Sequence, residues 1–221
     1  MTASYDNQTW RCVQFGAAGT LRYRAVFQNQ DGVEVSSWHD LQHLDAVSGQ
    51  HNFVCSTPKD CWLDMEISEN EPFTPLRLRQ GLGRPRHFSD NCPVNFGFLA
   101  QTLCSPEQEV SEFPGFKYVR GPLMVAEVGA QKRSIGEVYP VKPLSSFFLI
   151  DDQARLFPVL VTVACSDSEA ELLAGPNDII HILPGALAEL KEWLRHCRCV
   201  FDYGEYSLEF MSAKKRQLRM A

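Results

Sequence analysis

Hydrophobic and polar residues alternate with period two over much of this chain, and that pattern predicts strands. Thr20 to Phe27 alternates, Asp31-Gly32 supplies a turn, and Val33-Glu34-Val35 returns, which together predict a hairpin. His51 to Cys55 reads as a strand that Pro58 breaks, and Leu63-Asp64-Met65-Glu66-Ile67 alternates again. Residues 68–115 are rich in Pro, Gly, Asn and Ser and read as loops with short strands. Beyond Tyr118, strands are predicted at Leu123 to Val128, Gly136 to Val141, Phe147 to Ile150 and Phe157 to Val163. Helical periodicity comes late. Glu169 to Leu173 is a short candidate, and Asn177-Asp178 is placed to cap Ile179 to Leu183. Pro184 to His196 is the strongest, because Leu187, Leu190, Trp193 and Leu194 share one face. Many strands followed by helices predict an α+β, mainly β, fold built on a five-stranded OB-like closed barrel with flanking C-terminal helices. The segments expected are an N-terminal extension over 1–18, a barrel domain over 19–200 and a C-terminal segment with a basic tail over 201–221.

Composition narrows the field. The chain has 221 residues, 44% of them hydrophobic and 22% charged, which suits one globular domain. No apolar run approaches the ~20 residues of a membrane-spanning helix. The formal net charge of −6 argues against general nucleic-acid binding. The eight cysteines (Cys12, Cys55, Cys61, Cys92, Cys104, Cys165, Cys197 and Cys199) include no Cys-x-x-Cys pair. The polar start, Met1 to Trp10, lacks the look of a secretory signal, so reduced thiols and an intracellular setting are expected, with cytoplasm, mitochondrion and plastid undistinguished.

A set of motifs then falls in one order. Gly19-Thr20-Leu21-Arg22-Tyr23 precedes Asp31-Gly32 and Ser37-Trp38-His39-Asp40-Leu41. Asn52-Phe53-Val54 leads through Pro58-Lys59 to Met65-Glu66-Ile67. Asn95-Phe96-Gly97 precedes Gln101-Thr102, and Pro184-Gly185 precedes Glu192-Trp193-Leu194-Arg195. In order and spacing this series, over most of residues 19–197, resembles the soluble inorganic pyrophosphatases, the eukaryotic type most. The resemblance implies the family's barrel and, for its members, pyrophosphate hydrolysis with several Mg²⁺ ions held by aspartates.

The same resemblance implies altered chemistry here. The family's Gly-Asp-x-Asp-Pro-x-Asp run aligns with Tyr118-Val119-Arg120-Gly121-Pro122-Leu123-Met124, so Val119, Gly121 and Met124 stand where aspartates are usual. Ser56 replaces a glutamate, Asp64 a lysine, Phe96 a tyrosine, Leu156 an aspartate and Pro158 a lysine. Glu66, Arg86 and Asp151 are the family residues that persist, and Lys214 and Lys215 are candidates for a C-terminal remnant. The expectation is therefore no catalytic or metal-binding residues and no cofactor. The chain would be a pseudoenzyme of this Mg-dependent family, acting as an accessory or structural subunit of a larger protein assembly, with a homodimer also compatible. Two other readings stay open. One is a nucleic-acid or phosphate-binding module using the tail (Lys214, Lys215, Arg216, Arg219) or Arg77, Arg79, Arg84 and Arg86. The other is a phosphohydrolase with an altered substrate.

Three further constellations carry residue types suited to chemistry. His39 and His43 are four apart and would share a helix face, but the resemblance puts His39-Asp40 in a structural corner. His196, Cys197 and Cys199 would suit zinc but have no second ligand pair nearby. Gly81-Leu82-Gly83-Arg84-Pro85-Arg86 resembles a phosphate-cradling loop without the Gly-Lys-Ser/Thr ending, and reads as a mobile basic loop.

Overall fold

The structure is a computed structural model that describes residues 10–108, 110, 113–150, 153–196 and 207–211, the last five and residues 195 and 196 by backbone only. Fourteen strands and two helices are described: β1 (Trp10–Phe15), β2 (Arg24–Asn29), β3 (Glu34–Val35), β4 (His51–Thr57), β5 (Met65–Ile67), β6 (Leu76–Leu78), β7 (Gln80–Gly81), β8 (Arg84–Pro85), β9 (Asn95–Leu99), β10 (Lys117–Tyr118), β11 (Met124–Glu127), β12 (Val138–Ile150), β13 (Arg155–Ala164), α1 (Pro176–Ile182), α2 (Ala186–His196) and β14 (Ser207–Met211).

The main sheet is built on strands that bury both faces. All five residues of β9 are buried, as are six of the seven in β4. Its pairings run β4–β9–β11–β13–β12 and return from β12 to β4. All are antiparallel except β11 with β13, and β10 and β14 add at the margins. Gly97 sits where β4 and β9 press together, because a Cβ there would strike the Val54 carbonyl. The second sheet, β1–β2–β6–β5 with β3 on β2, packs its apolar face (Phe27, Leu76, Leu78) against Val54, Phe98 and Val138 of the first. Residues 10–15, assigned from sequence to an extension, form β1 along β2 from Trp10↔Asn29 to Phe15↔Arg24.

Two expected elements differ. Gly136 to Val141 and Phe147 to Ile150 are parts of one strand, β12, with a register shift between Pro143 and Ser145. Its first half pairs with β4 and its second with β13 and β14, so the proline marks the bend rather than an end. Glu169 to Leu173 forms a series of turns instead of a helix. Five residues ahead of Gly175-Pro176 are too few to offset helix nucleation. Helix α2 forms as its period predicts: Leu190, Trp193 and Leu194 are buried, with Trp193 against Phe88 and Phe96 at ring-centroid distances of 5.0 and 5.9 Å.

Candidate active site

A cavity of about 300 Å³ opens where the strand ring meets the second sheet. One wall is apolar: Phe96 and Phe98 of β9, Met124 of β11, and Phe157 and Pro158 of β13. Val119 and Gly121 lie on the approach to β11 and line it too. The other wall is charged, and the alternation of two short strands builds it. In β5 and β6, Met65 and Leu78 pair and point into the core, while Glu66 pairs with Arg77 on the opposite face. Asp64 precedes this register and Arg79 follows it, so they meet one step further along.

The result is a chain of alternating charges. Arg79 Nε donates to Asp64 Oδ1 at 3.3 Å and lies 3.3 Å from Oδ2, and Arg86 Nε is 3.9 Å from that oxygen. Arg79 Nη1 is 3.5 Å from Glu66, whose other oxygen accepts from Arg77 Nε at 3.0 Å. Arg77 reaches Glu71 at 3.4 Å, and Arg24 Nε donates to Glu71 at 2.7 Å. Four arginines face three carboxylates, which leaves one positive charge in excess when all are ionised. Asp64 is the deepest member, at 2% exposure. Burial pushes its carboxyl up to about 6, against the opposing pull of Arg79 and Arg86. At the rim, Arg120 pairs with Glu69 at 2.9 Å and lies over the Trp38 ring.

Of the residues singled out from sequence, Glu66 lines the cavity and Arg86 stands beside Asp64. Asp151 lies outside the described residues, as do Asp152, Cys197, Cys199, Lys214, Lys215, Arg216 and Arg219. The side chain of His196 is likewise not described. Ser56 lines the cavity, whereas Leu156 is buried elsewhere, with Phe148 and Val110. The Gly81–Arg86 loop is a tight hairpin, β7–β8, and the stem of Arg86 lies over Gly81 so closely that a Cβ would come within 2.9 Å of it. The loop backbone is thus packed against its own arginine. His39 binds Ser36 Oγ through Nδ1 at 3.0 Å and does not meet His43. The Asp64–Arg79 contact is the feature the sequence reading lacks. Its signal was the matched alternation of Asp64-Met65-Glu66 with Arg77-Leu78-Arg79, which places unlike charges across one ladder.

Mg²⁺ takes an octahedral shell of oxygens, and a cluster of such ions needs several unpaired carboxylates. Asp64 and Glu66 are both engaged by arginines, and among the described residues no three His, Cys, Asp or Glu side chains are grouped to hold a metal. The described part of the cavity does not fit the family's metal cluster.

The sequence profile of the family described as Inorganic pyrophosphatase matches residues 53–216. The chain belongs to that family. It is 33% identical over 194 residues to soluble inorganic pyrophosphatase 6, chloroplastic, of Arabidopsis thaliana, covering 88% of this chain and 64% of that one. It is 31% identical to soluble inorganic pyrophosphatase 1, chloroplastic, of Chlamydomonas reinhardtii, covering 88% and 68%. The chain thus spans about two thirds of the length of these relatives. The type I inorganic pyrophosphatase of Toxoplasma gondii shares the fold, with a TM-score of 0.85 and 23% identity over 93% of this chain and 92% of that one. A Trypanosoma cruzi vacuolar soluble pyrophosphatase, truncated at its N-terminal domain and solved in complex with PPi, gives a TM-score of 0.83 at 26% identity, covering 97% and 88%.

These findings correct two expectations. A non-catalytic accessory subunit, and a pseudoenzyme of this family, were expected because Val119, Gly121 and Met124 replace carboxylates. Relatives that cover most of the chain are named inorganic pyrophosphatases, which favours catalysis, and nothing shows activity lost. The replacements at 119, 121 and 124 do line the cavity, but they do not strip it of ionisable groups. Its charge sits on the β5–β6 wall instead of the β11 approach.

Proposed function

We propose that this chain hydrolyses a phosphoanhydride bond, with inorganic pyrophosphate as the reference substrate, in the cavity between Asp64 and Met124. The observation that carries this reading is Asp64, a carboxylate at 2% exposure, raised to about 6 and flanked by two arginines in a cavity. A group titrating near neutral pH suits proton transfer in both directions. Arg79 and Arg86 orient the diphosphate by their planar donor forks. Asp64 takes a proton from the attacking water as the new P–O bond forms and the bridging P–O bond breaks. It then returns that proton to a phosphate product. Family membership supports the reading, as does the PPi complex of the trypanosomal relative. We also read the ring of five strands as the OB-like barrel of this family, and the chloroplast names of two relatives support an intracellular setting. No described helix is long and apolar enough to cross a membrane.

The test is phosphate release from pyrophosphate by the purified chain, with and without added Mg²⁺, as a function of pH. The wild-type rate should fall on the acid side with a midpoint near 6. Asp64→Asn should cost about 100-fold or more. Equal rates for the two proteins would remove Asp64 from the reaction.

A further inference from the structure

At the start of β4, whose last residues Ser56 and Thr57 line the cavity, two imidazoles meet outside that lining. His43 Nδ1 lies 2.9 Å from the Ala100 carbonyl, which only accepts, so Nδ1 carries the proton and Nε2 keeps a lone pair. That Nε2 faces His51 Nδ1 at 3.0 Å. The ring centroids are 4.8 Å apart with planes tilted by 56°. This is closer than an end-on hydrogen bond of that length would leave them, so the nitrogens converge off the line that joins them. Both backbones are held. Asn52 N donates to the His43 carbonyl at 2.8 Å, Asn52 Nδ2 donates to the Gln42 carbonyl at 3.0 Å, and His51 pairs with Val141 in the sheet and bridges Leu44. The pair is half-buried, so an ion can reach it.

We propose that His43 Nε2 and His51 Nδ1 form a two-imidazole binding site for a divalent d-block ion such as Zn²⁺ or Ni²⁺, with water completing the shell. Imidazole nitrogen suits these ions. Two nitrogens about 2.0–2.1 Å from one tetrahedral ion lie roughly 3.3 Å apart, a few tenths of an ångström beyond what is found here. The Ala100 carbonyl plays the part that oriented acceptors play behind metal-bound histidines, fixing the tautomer and the ring plane. Loading requires only that the His51 proton move from Nδ1 to Nε2. Burial and the neighbouring His43 hold His51 below the usual histidine range, which favours a neutral, available His51 ring near pH 7. A bound ion would tie the Gln42–Leu44 segment to the start of β4, independently of the reaction proposed above.

The experiment titrates the full chain with Zn²⁺ and follows imidazole ring nitrogens by long-range ¹H–¹⁵N correlation, which separates this site from the cysteines. The expected result is saturable movement of His43 Nε2 and His51 Nδ1, with His39 unmoved. His51→Gln should abolish the His43 response while His39→Gln preserves it. Ring signals of His43 and His51 that stay fixed at saturating Zn²⁺ in the wild type would overturn the proposal whether or not the variants fold. So would an unchanged His43 response in a folded His51→Gln chain.

Discussion

Two of the buried carboxylates among the described residues, Glu127 and Asp64, are treated in opposite ways. Glu127 has no counter-charge on its own oxygens. Asn95 Nδ2 and Tyr139 Oη donate to one of them, at 2.8 and 3.1 Å, and the backbone N–H groups of Gly129 and Ala164 donate to the other, at 2.6 and 3.2 Å. These four donors come from β9, from the end of β11, from β12 and from β13, so a single side chain fastens four strands of the ring. Asp64 receives only Arg79 as a donor to Oδ1, and its Oδ2 has no hydrogen-bond partner. Burial raises both groups. A saturated carboxylate is a structural fastener; an undersaturated one beside a cavity retains capacity for a proton or a ligand.

The most forceful way to break this contrast is Glu127→Leu. Removing the acceptor strands two backbone N–H groups, an amide and a hydroxyl in the core, and should lower stability by about 3–5 kcal/mol, measured by urea unfolding. Loss below about 1 kcal/mol would mean the network contributes little.

Asp64→Asn should act in the opposite direction on stability. A folded pKa of about 6, against an ordinary aspartate value of 3.8, means that the folded chain binds the proton more tightly. Wild-type stability therefore falls as pH rises from about 4 to 6 and stays low above that, by roughly 3 kcal/mol in total. The amide cannot ionise, so the variant should lack this slope and melt higher than wild type at pH 7, while its turnover drops. Thermal melts across pH 4–8 check both parts. Parallel curves for the two proteins would refute the assignment.

Arg120→Ala gives the smallest effect. Its ion pair with Glu69 is exposed at 62% and 49%, so stability should change by no more than about 0.5 kcal/mol. A larger loss would show that the rim belongs to the charged wall.

Most of the architecture was legible in the sequence because period-two alternation and glycine placement are local signals. The β2–β3 hairpin over Asp31-Gly32 and the buried face of α2 were both expected. The continuity of β12 was not, since Lys142-Pro143 looks like a break when the partners on either side are unseen. The cavity was half legible. The replacement of aspartates at 119, 121 and 124 could be read directly, and it invited a conclusion of lost chemistry. The charges on the other wall come from Asp64, Arg79 and Arg86, which the β5–β6 register and the return of the β7–β8 hairpin onto Arg79 bring together. Pairing across a ladder is invisible to a residue-by-residue comparison. The His43–His51 contact was hidden for the same reason, because the helical spacing of His39 and His43 drew attention to the wrong pair.

The ring pairings carry a consequence for synthesis. Strand β4 finds one neighbour in β9, but its other edge waits for Val138–Val141. A ribosome working from the N-terminus delivers those residues long after β4 has emerged. Until then an apolar segment, His51 to Thr57, presents an open edge to every other nascent chain nearby. Ring closure is thus a late, long-range event, which makes folding slow for a chain of this size.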